Sequence, residues 1–249
     1  MRRGFFGNLD LAAEAISRGS VLVDGATATS AASMVPAGAE LTIARTRAFV
    51  SRGGDKLAGA LEDLNVDPGK MRCLDAGAGS GGFTDCLLKT GASEVVAVDV
   101  GYGQFDWSLR NDPRVRLLER TNLRTLTPAE CGAPFDLIVA DLSFTSVASH
   151  ATKLAAMAGP GGRMLLLIKP QHESPKETVG PGGVVTDPSV WRLAIESAAE
   201  ALSINGFGTV AVAASRVKGA TGNQEFFVLA CRGEPVNREA IAAAVEAAV

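Results

Sequence analysis

The chain has 249 residues, enough for one large or two smaller domains, and its 47% hydrophobic content can build a substantial core. A formal net charge of −3 lacks the strong basic excess of an electrostatic nucleic-acid binder, although a local basic patch stays compatible with it. No signal peptide or membrane-length apolar run is present, so a cytoplasmic protein without a membrane partner is expected.

Residues 1–46 differ in character from the rest of the chain. Leu9 to Ser17 predicts a short helix, with Asn8 as N-cap and Gly19 just past its end. Val21 to Val23 predicts a strand running into an Asp24-Gly25 turn, and residues 39–44 a second short strand. Residues 47–50 are too few for a floppy linker and read as a brief connection between two domains. Ser51-Arg52-Gly53-Gly54-Asp55-Lys56 then leads into a helix over 57–64, with a serine and an aspartate suited to its start. By position alone Lys56 faces solvent, as most lysines do.

The centre of the chain is the stretch 72–100. An apolar run ends in Asp75 and breaks into a turn, Gly77-Ala78-Gly79-Ser80-Gly81-Gly82, before a helix beginning near Phe83. A second apolar strand, Val95 to Val98, is closed by Asp99 and Val100. Glycines let the backbone approach a ligand closely, and a carboxylate at a strand tip can accept hydrogen bonds from both hydroxyls of a ribose. A nucleoside cofactor is implied. Gly77, Gly79 and Gly82 satisfy the dinucleotide spacing, so a nicotinamide dinucleotide fits the pattern. Asp75, however, would repel a pyrophosphate and suits a cationic amino group, which favours S-adenosylmethionine and a methyltransferase over a dehydrogenase.

Further along, Gly101 to Gln104 and Trp107 form a loop at the edge where such sheets collect ligands. Val115 to Leu118 is a third strand. It is followed by Thr121 and Asn122, which suit either an adenine edge or a turn. Phe135 to Ala140 is a continuous apolar strand ending at Asp141. Gly159-Pro160-Gly161-Gly162 reads as a loop, and the strand Arg163 to Ile168 ends at Lys169, a costly place for a lysine without a partner or a task. Thr186-Asp187-Pro188 starts a helix reaching about Ile204; strands at 208–214 and 225–230 flank a basic, glycine-bearing loop, and 237–249 is a final helix. The four cysteines, Cys73, Cys86, Cys131 and Cys231, have no metal-ligand spacing and read as reduced thiols. Alternating strands and helices define the fold class as α/β, a Rossmann-like doubly wound sheet with an antiparallel last strand, behind a small N-terminal domain.

Lys56, Asp141, Lys169 and Glu225 each stand at the edge of an element on the ligand side of that sheet. Two cations with two anions suit a reaction in which an alcohol must lose its proton, with no metal required. Any one of them alone equally suits a surface ion pair.

Ser-Arg-Gly-Gly-Asp-Lys-Leu at 51–57, Leu-Asp-Ala-Gly-Ala-Gly-Ser-Gly-Gly-Phe-Thr-Asp at 74–85 and Val-Asp-Val-Gly-Tyr-Gly-Gln at 98–104 are longer signatures. These stretches resemble the TlyA family of ribosomal RNA 2'-O-methyltransferases, whose catalytic domain is of the FtsJ type. Ala-Asp-Leu-Ser-Phe at 140–144, Ile-Lys-Pro-Gln at 168–171 and Gly-Pro-Gly-Gly-Val-Val at 180–185 extend the likeness over nearly the whole chain. The resemblance implies S-adenosylmethionine as cofactor and 2'-O-methylation of cytidine in small- and large-subunit ribosomal RNA. It assigns a catalytic Lys-Asp-Lys-Glu tetrad to Lys56, Asp141, Lys169 and Glu225. The cofactor would lie against Asp75, the 77–82 turn, Phe83, Asp99, Val100, Thr121, Asn122 and Asp141. Residues 1–46 resemble part of the family's alpha-L (S-four-like) RNA-binding module, with Arg2, Arg3, Arg18 and Arg52 as RNA contacts. The chain departs from the family in matching only the end of that module's first helix, in reading Gly-Ala-Gly-Ser where Gly-Ala-Ser-Thr is usual, and in placing His172 where an aromatic residue is usual. A truncated RNA-binding module is therefore expected, and a non-catalytic assembly factor is the competing reading. The family's older haemolysin label gains no support, since no segment is long enough to span a membrane.

Overall fold

The computed structural model describes residues 4–17, 19–43 and 48–249, in two units, Met1–Ala48 and Phe49–Val249. Arg2, Arg3, Arg18 and the end of the strand expected at 39–44 lie outside the described residues.

In the first unit, α1 (Leu9–Ser17) is capped by Asn8, whose Oδ1 accepts a hydrogen bond from the Leu11 amide at 2.8 Å. Strands β1 (Val21–Val23), β2 (Ala26–Thr27) and β3 (Leu41–Ile43) form an antiparallel sheet in the order β2-β1-β3. The β1–β2 hairpin turns on Asp24 and Gly25, both at positive φ (49° and 81°), the conformation that makes Asp-Gly a hairpin signal.

The second unit begins at Phe49, inside the expected 47–50 connection. Phe49 lies against Gly54, and the Val50 amide donates to Asp85 Oδ2 at 2.9 Å, so both residues are part of this unit rather than a linker. Its elements are α2 (Arg52–Asp63), β4 (Arg72–Ala76), α3 (Gly82–Lys89), β5 (Glu94–Val98), α4 (Trp107–Arg110), β6 (Val115–Leu118), α5 (Pro128–Cys131) and β7 (Phe135–Ala140). Then come α6 (Ala151–Met157), β8 (Ala158–Ile168), α7 (Pro170–Glu173), α8 (Pro188–Ile204), β9 (Phe207–Ala214), β10 (Phe226–Arg232) and α9 (Arg238–Glu246). Gly159–Gly162 is absorbed into β8 as an irregular first half, where the pairing with β7 shifts register, and is not the expected loop.

The seven strands are ordered β6-β5-β4-β7-β8-β10-β9, and β10 alone runs against the direction of the others. Alternation along β8 shows why both faces are covered: Met164, Leu166 and Ile168 enter one buried cluster, Leu165 and Leu167 the other. Leu57 of α2 and Phe83 and Leu87 of α3 fill one face. Leu154 of α6, Trp191 and Ile195 of α8, and Ile241 of α9 fill the opposite face. The sheet is a doubly wound α/β layer whose parallel strands deliver their carboxyl ends to one edge.

Candidate active site

At that edge β4 leaves the sheet through a turn in which Gly77, Gly79 and Gly81 all have positive φ (84°, 53° and 93°). A Cβ on Gly77 would run into the carbonyl oxygen of Asp141, so the close approach of β4 and β7 also requires glycine there. The next strand's tip holds the turn in shape: Asp99 accepts the Gly79 amide at 2.8 Å and the Gly101 amide at 2.6 Å. A cleft of about 750 Å³ opens over this edge. Gly77, Ala78, Gly79, Ser80, Gly82, Phe83, Asp99, Val100, Thr121, Asn122 and Asp141 line it, as does a set that sequence reasoning left unassigned, Leu123, Arg124, Ser143, Phe144 and His150.

Asp75 and Gly81 are not on that wall. Asp75 is fully buried and accepts a 2.7 Å hydrogen bond from the Thr84 hydroxyl, while its other oxygen, Oδ1, has no protein partner. Burial pushes its carboxyl up to about 7, against the pull of the Thr84 hydroxyl, with the charges of Asp141 and Asp99 adding to the rise. Asp75 thus reads as a carboxyl behind the cleft, not as a direct contact for a cationic group. Asn122 forms a turn, its Oδ1 accepting the Arg124 amide at 2.9 Å, so it lines the cleft and shapes the chain at once.

Register explains the charged cluster. Ala140 pairs with Leu166, and Ile168 pairs with Phe226, so Asp141, Lys169 and Glu225 follow or precede neighbouring positions on adjacent strands at one edge. Lys169 Nζ lies 2.5 Å from Asp141 Oδ1, a charge contact without directed hydrogen-bond geometry, and donates to Ser143 Oγ at 3.1 Å. Lys56 does not face solvent as its position suggested: it is 8% exposed and donates to Glu225 Oε2 at 2.5 Å, with Glu225 itself 2% exposed. The four residues thus form two lysine–carboxylate pairs. Arg52 is exposed.

Phe144 follows Asp141, Leu142 and Ser143 out of the β7 tip. It sits at φ +63° and is 93% exposed, its ring 5.8 Å from the His172 ring. Backbone strain and an uncovered aromatic ring thus coincide at the cleft rim. Burial, and next the charge of Lys169, lowers the His172 pKa below its ordinary value. The sequence signal for Ser143 and Phe144 was their nearness to Asp141; His150 had none.

A glycine turn at a helix start, a carboxylate at the next strand tip and a paired lysine beside the same cleft define a Rossmann-like methyltransferase. A family model for FtsJ-like methyltransferases matches residues 49–232, and the chain belongs to that family. It is 47% identical over 230 residues to the 16S/23S rRNA (cytidine-2'-O)-methyltransferase TlyA of Mycobacterium tuberculosis, covering 92% of this chain and 86% of the relative. It is also 34% identical to Hemolysin A of Brachyspira hyodysenteriae, over 90% of this chain and 93% of that protein. Among solved structures, a hemolysin-labelled protein from Streptococcus thermophilus superposes with a TM-score of 0.76 at 32% identity, covering 98% of this chain and 93% of the other.

Proposed function

We propose that this chain transfers the methyl group of S-adenosylmethionine to a ribose 2'-oxygen, that of a cytidine in small- and large-subunit ribosomal RNA. The observation that carries the reading is Asp141 on the wall of a glycine-turn cleft, paired with Lys169 directly behind it, with the Lys56–Glu225 pair next along the same sheet edge. The similarity to a relative named for cytidine 2'-O-methylation of 16S and 23S ribosomal RNA supports the substrate. When bound, S-adenosylmethionine supplies a methyl group activated by a positively charged sulfur. Asp99 and the 77–82 turn are suited to hold its nucleoside, and Asp75 stands behind that turn as a structural carboxyl. Lys169, fixed by Asp141 and Ser143, is placed to orient an incoming hydroxyl, and the lysine–carboxylate set takes the hydroxyl proton as the oxygen–carbon bond forms. The exposed ring of Phe144 offers a stacking surface for the base of the target nucleotide.

The same reading puts the protein in the cytoplasm, with ribosomal subunits, and assigns residues 1–46 to RNA binding. Among the described residues no helix is long and apolar enough to cross a membrane, and the hemolysin label of some relatives is not carried over. The test is transfer of labelled methyl to unmodified ribosomal subunits by the wild-type chain and by Lys169→Ala. Transfer mapping to a ribose 2'-oxygen should fall by about 100-fold or more in the variant, while binding of S-adenosylhomocysteine stays within a few-fold. A variant as active as wild type would remove Lys169 from the chemistry.

A further inference from the structure

His150 is one of the two histidines in the chain, and nothing in the chemistry proposed above uses it. It is 4% exposed, stands at the start of α6 and lines the cleft. Its hydrogen bonds determine its tautomer. Nδ1 lies 3.0 Å from the Ser146 carbonyl oxygen, which can only accept, so Nδ1 carries the proton. Ser149 Oγ donates its own hydrogen to the same carbonyl at 2.8 Å, and therefore accepts from Nδ1 across 2.9 Å. With Nδ1–H shared between these two oxygens, the neutral ring is the Nδ1–H tautomer and its acceptor is Nε2. Among the described residues no protein group meets it, and it is not among the atoms sealed from solvent without a partner. Nδ1 is turned into the 146–149 segment, so the opposite ring edge, with Nε2, is the one left for the cleft.

The surroundings indicate what such an acceptor would meet. The charged pair Lys169–Asp141 marks the reacting end of the cleft, and Asp99 the ribose position. Leu123, past the end of β6, and Leu142, just after Asp141 at the β7 tip, both line the cleft at 6% and 8% exposure and belong to one buried cluster with Val147 and Ala151, which flank His150 in the chain. That is an apolar slot for a flat ring, with one buried acceptor beside it. We propose that His150 Nε2 accepts a hydrogen bond from the 6-amino group of the cofactor's adenine, making His150 a specificity residue for a 6-aminopurine. This rests on reading the cleft as the S-adenosylmethionine site. A 6-oxo purine would present an acceptor to this acceptor, and the site would discriminate against it because the buried nitrogen is left unpaired.

The test is calorimetric binding of S-adenosylhomocysteine and of its 6-oxo counterpart, S-inosylhomocysteine, to the full chain and to His150→Phe, which keeps a ring but removes the acceptor. The wild type should prefer the 6-amino ligand by about tenfold or more, and the variant should lose most of that preference by binding the 6-amino ligand more weakly. An unchanged preference in a folded variant would overturn the assignment. Should His150→Phe fail to fold, nitrogen NMR of wild-type chain carrying 15N-histidine serves instead, with only two imidazoles to resolve. One ring should show a protonated Nδ1 and a bare Nε2, and that Nε2 signal should move on saturation with S-adenosylhomocysteine. An Nε2 signal that stays put would overturn the assignment while leaving the cofactor reading intact. Failure of the wild type to bind either ligand would overturn both.

Discussion

Lys56 and Glu225 are 169 residues apart in the chain and share a 2.5 Å contact that almost no solvent reaches. A buried pair of this kind contributes little net stability, but removing one partner strands the other charge. Glu225→Ala should therefore destabilise the fold by about 3 kcal/mol in denaturant melts, and Lys56→Met by a similar amount. The double variant Lys56→Met/Glu225→Leu should recover most of that stability and none of the activity. Recovery of both would show the pair to be only structural. Asp75 makes a separate prediction. Its folded carboxyl titrates near 7 against an ordinary value of 3.8, so between those values the folded state holds a proton that the unfolded state has released. The stability this lends is complete below about pH 4 and is lost as pH rises to 7. Asp75→Asn should remove that fall, raising stability at pH 8 by about 1–3 kcal/mol relative to wild type in pH-resolved urea melts. Asp99, Asp141 and Lys169 were legible in the sequence because each ends an apolar run at a strand tip, whereas Asp75, read the same way, lies inside β4. Lys56 was not legible, since a helical lysine looks the same whether or not a carboxylate far along the chain awaits it. His150 was illegible for a related reason, its role depending on a tautomer set by Ser146 and Ser149.

Helices α2 and α3 meet through backbone. A Cβ on Gly54 would sit 2.9 Å from the Gly82 carbonyl oxygen and press into the Phe49 ring, and one on Gly82 would stand 2.8 Å from the Gly54 amide. The sequence suggested that Gly53 and Gly54 precede a helix over 57–64. They lie inside its first turn instead, because what the position demands is a short interhelical distance and not an unusual φ. Periodicity carries no trace of such a demand. Gly54→Ala should cost about 2–3 kcal/mol, seen as a lowered thermal midpoint. Since α2 carries Lys56 and α3 carries the end of the glycine turn, activity should fall further than stability alone explains. Unchanged stability would mean the two helices part easily. By contrast, α8 was readable at its start, where Asp187 caps the helix through the Ser189 amide at 2.8 Å and Pro188 fills the first position. The final helix was readable too, through Asn237 accepting the Ala240 amide at 3.0 Å.

Both hydrophobic clusters are built wholly from residues of the Phe49–Val249 unit. Removing residues 1–48 should therefore leave a folded protein with a thermal midpoint within a few degrees of the full chain and S-adenosylhomocysteine affinity within about threefold. If the first unit serves RNA binding, methyl transfer to ribosomal subunits should drop by about tenfold or more; undiminished transfer would assign that unit another role. The alternation of strands and helices made the doubly wound architecture legible, whereas the register that sets Glu225 beside Lys169 depends on a reversed strand whose partners no local pattern names. That reversed strand also sets a timetable. Glu225 immediately precedes β10, which slots between β8 and β9 and is the last strand to be synthesised. A nascent chain can display its glycine turn, Asp99 and Lys169 long before Lys56 has its counterion. Synthesis therefore yields no finished lysine–carboxylate set until the closing strand has emerged, and a product truncated before β10 would lack both that counterion and the Phe226, Phe227 and Val228 side chains of the two cores.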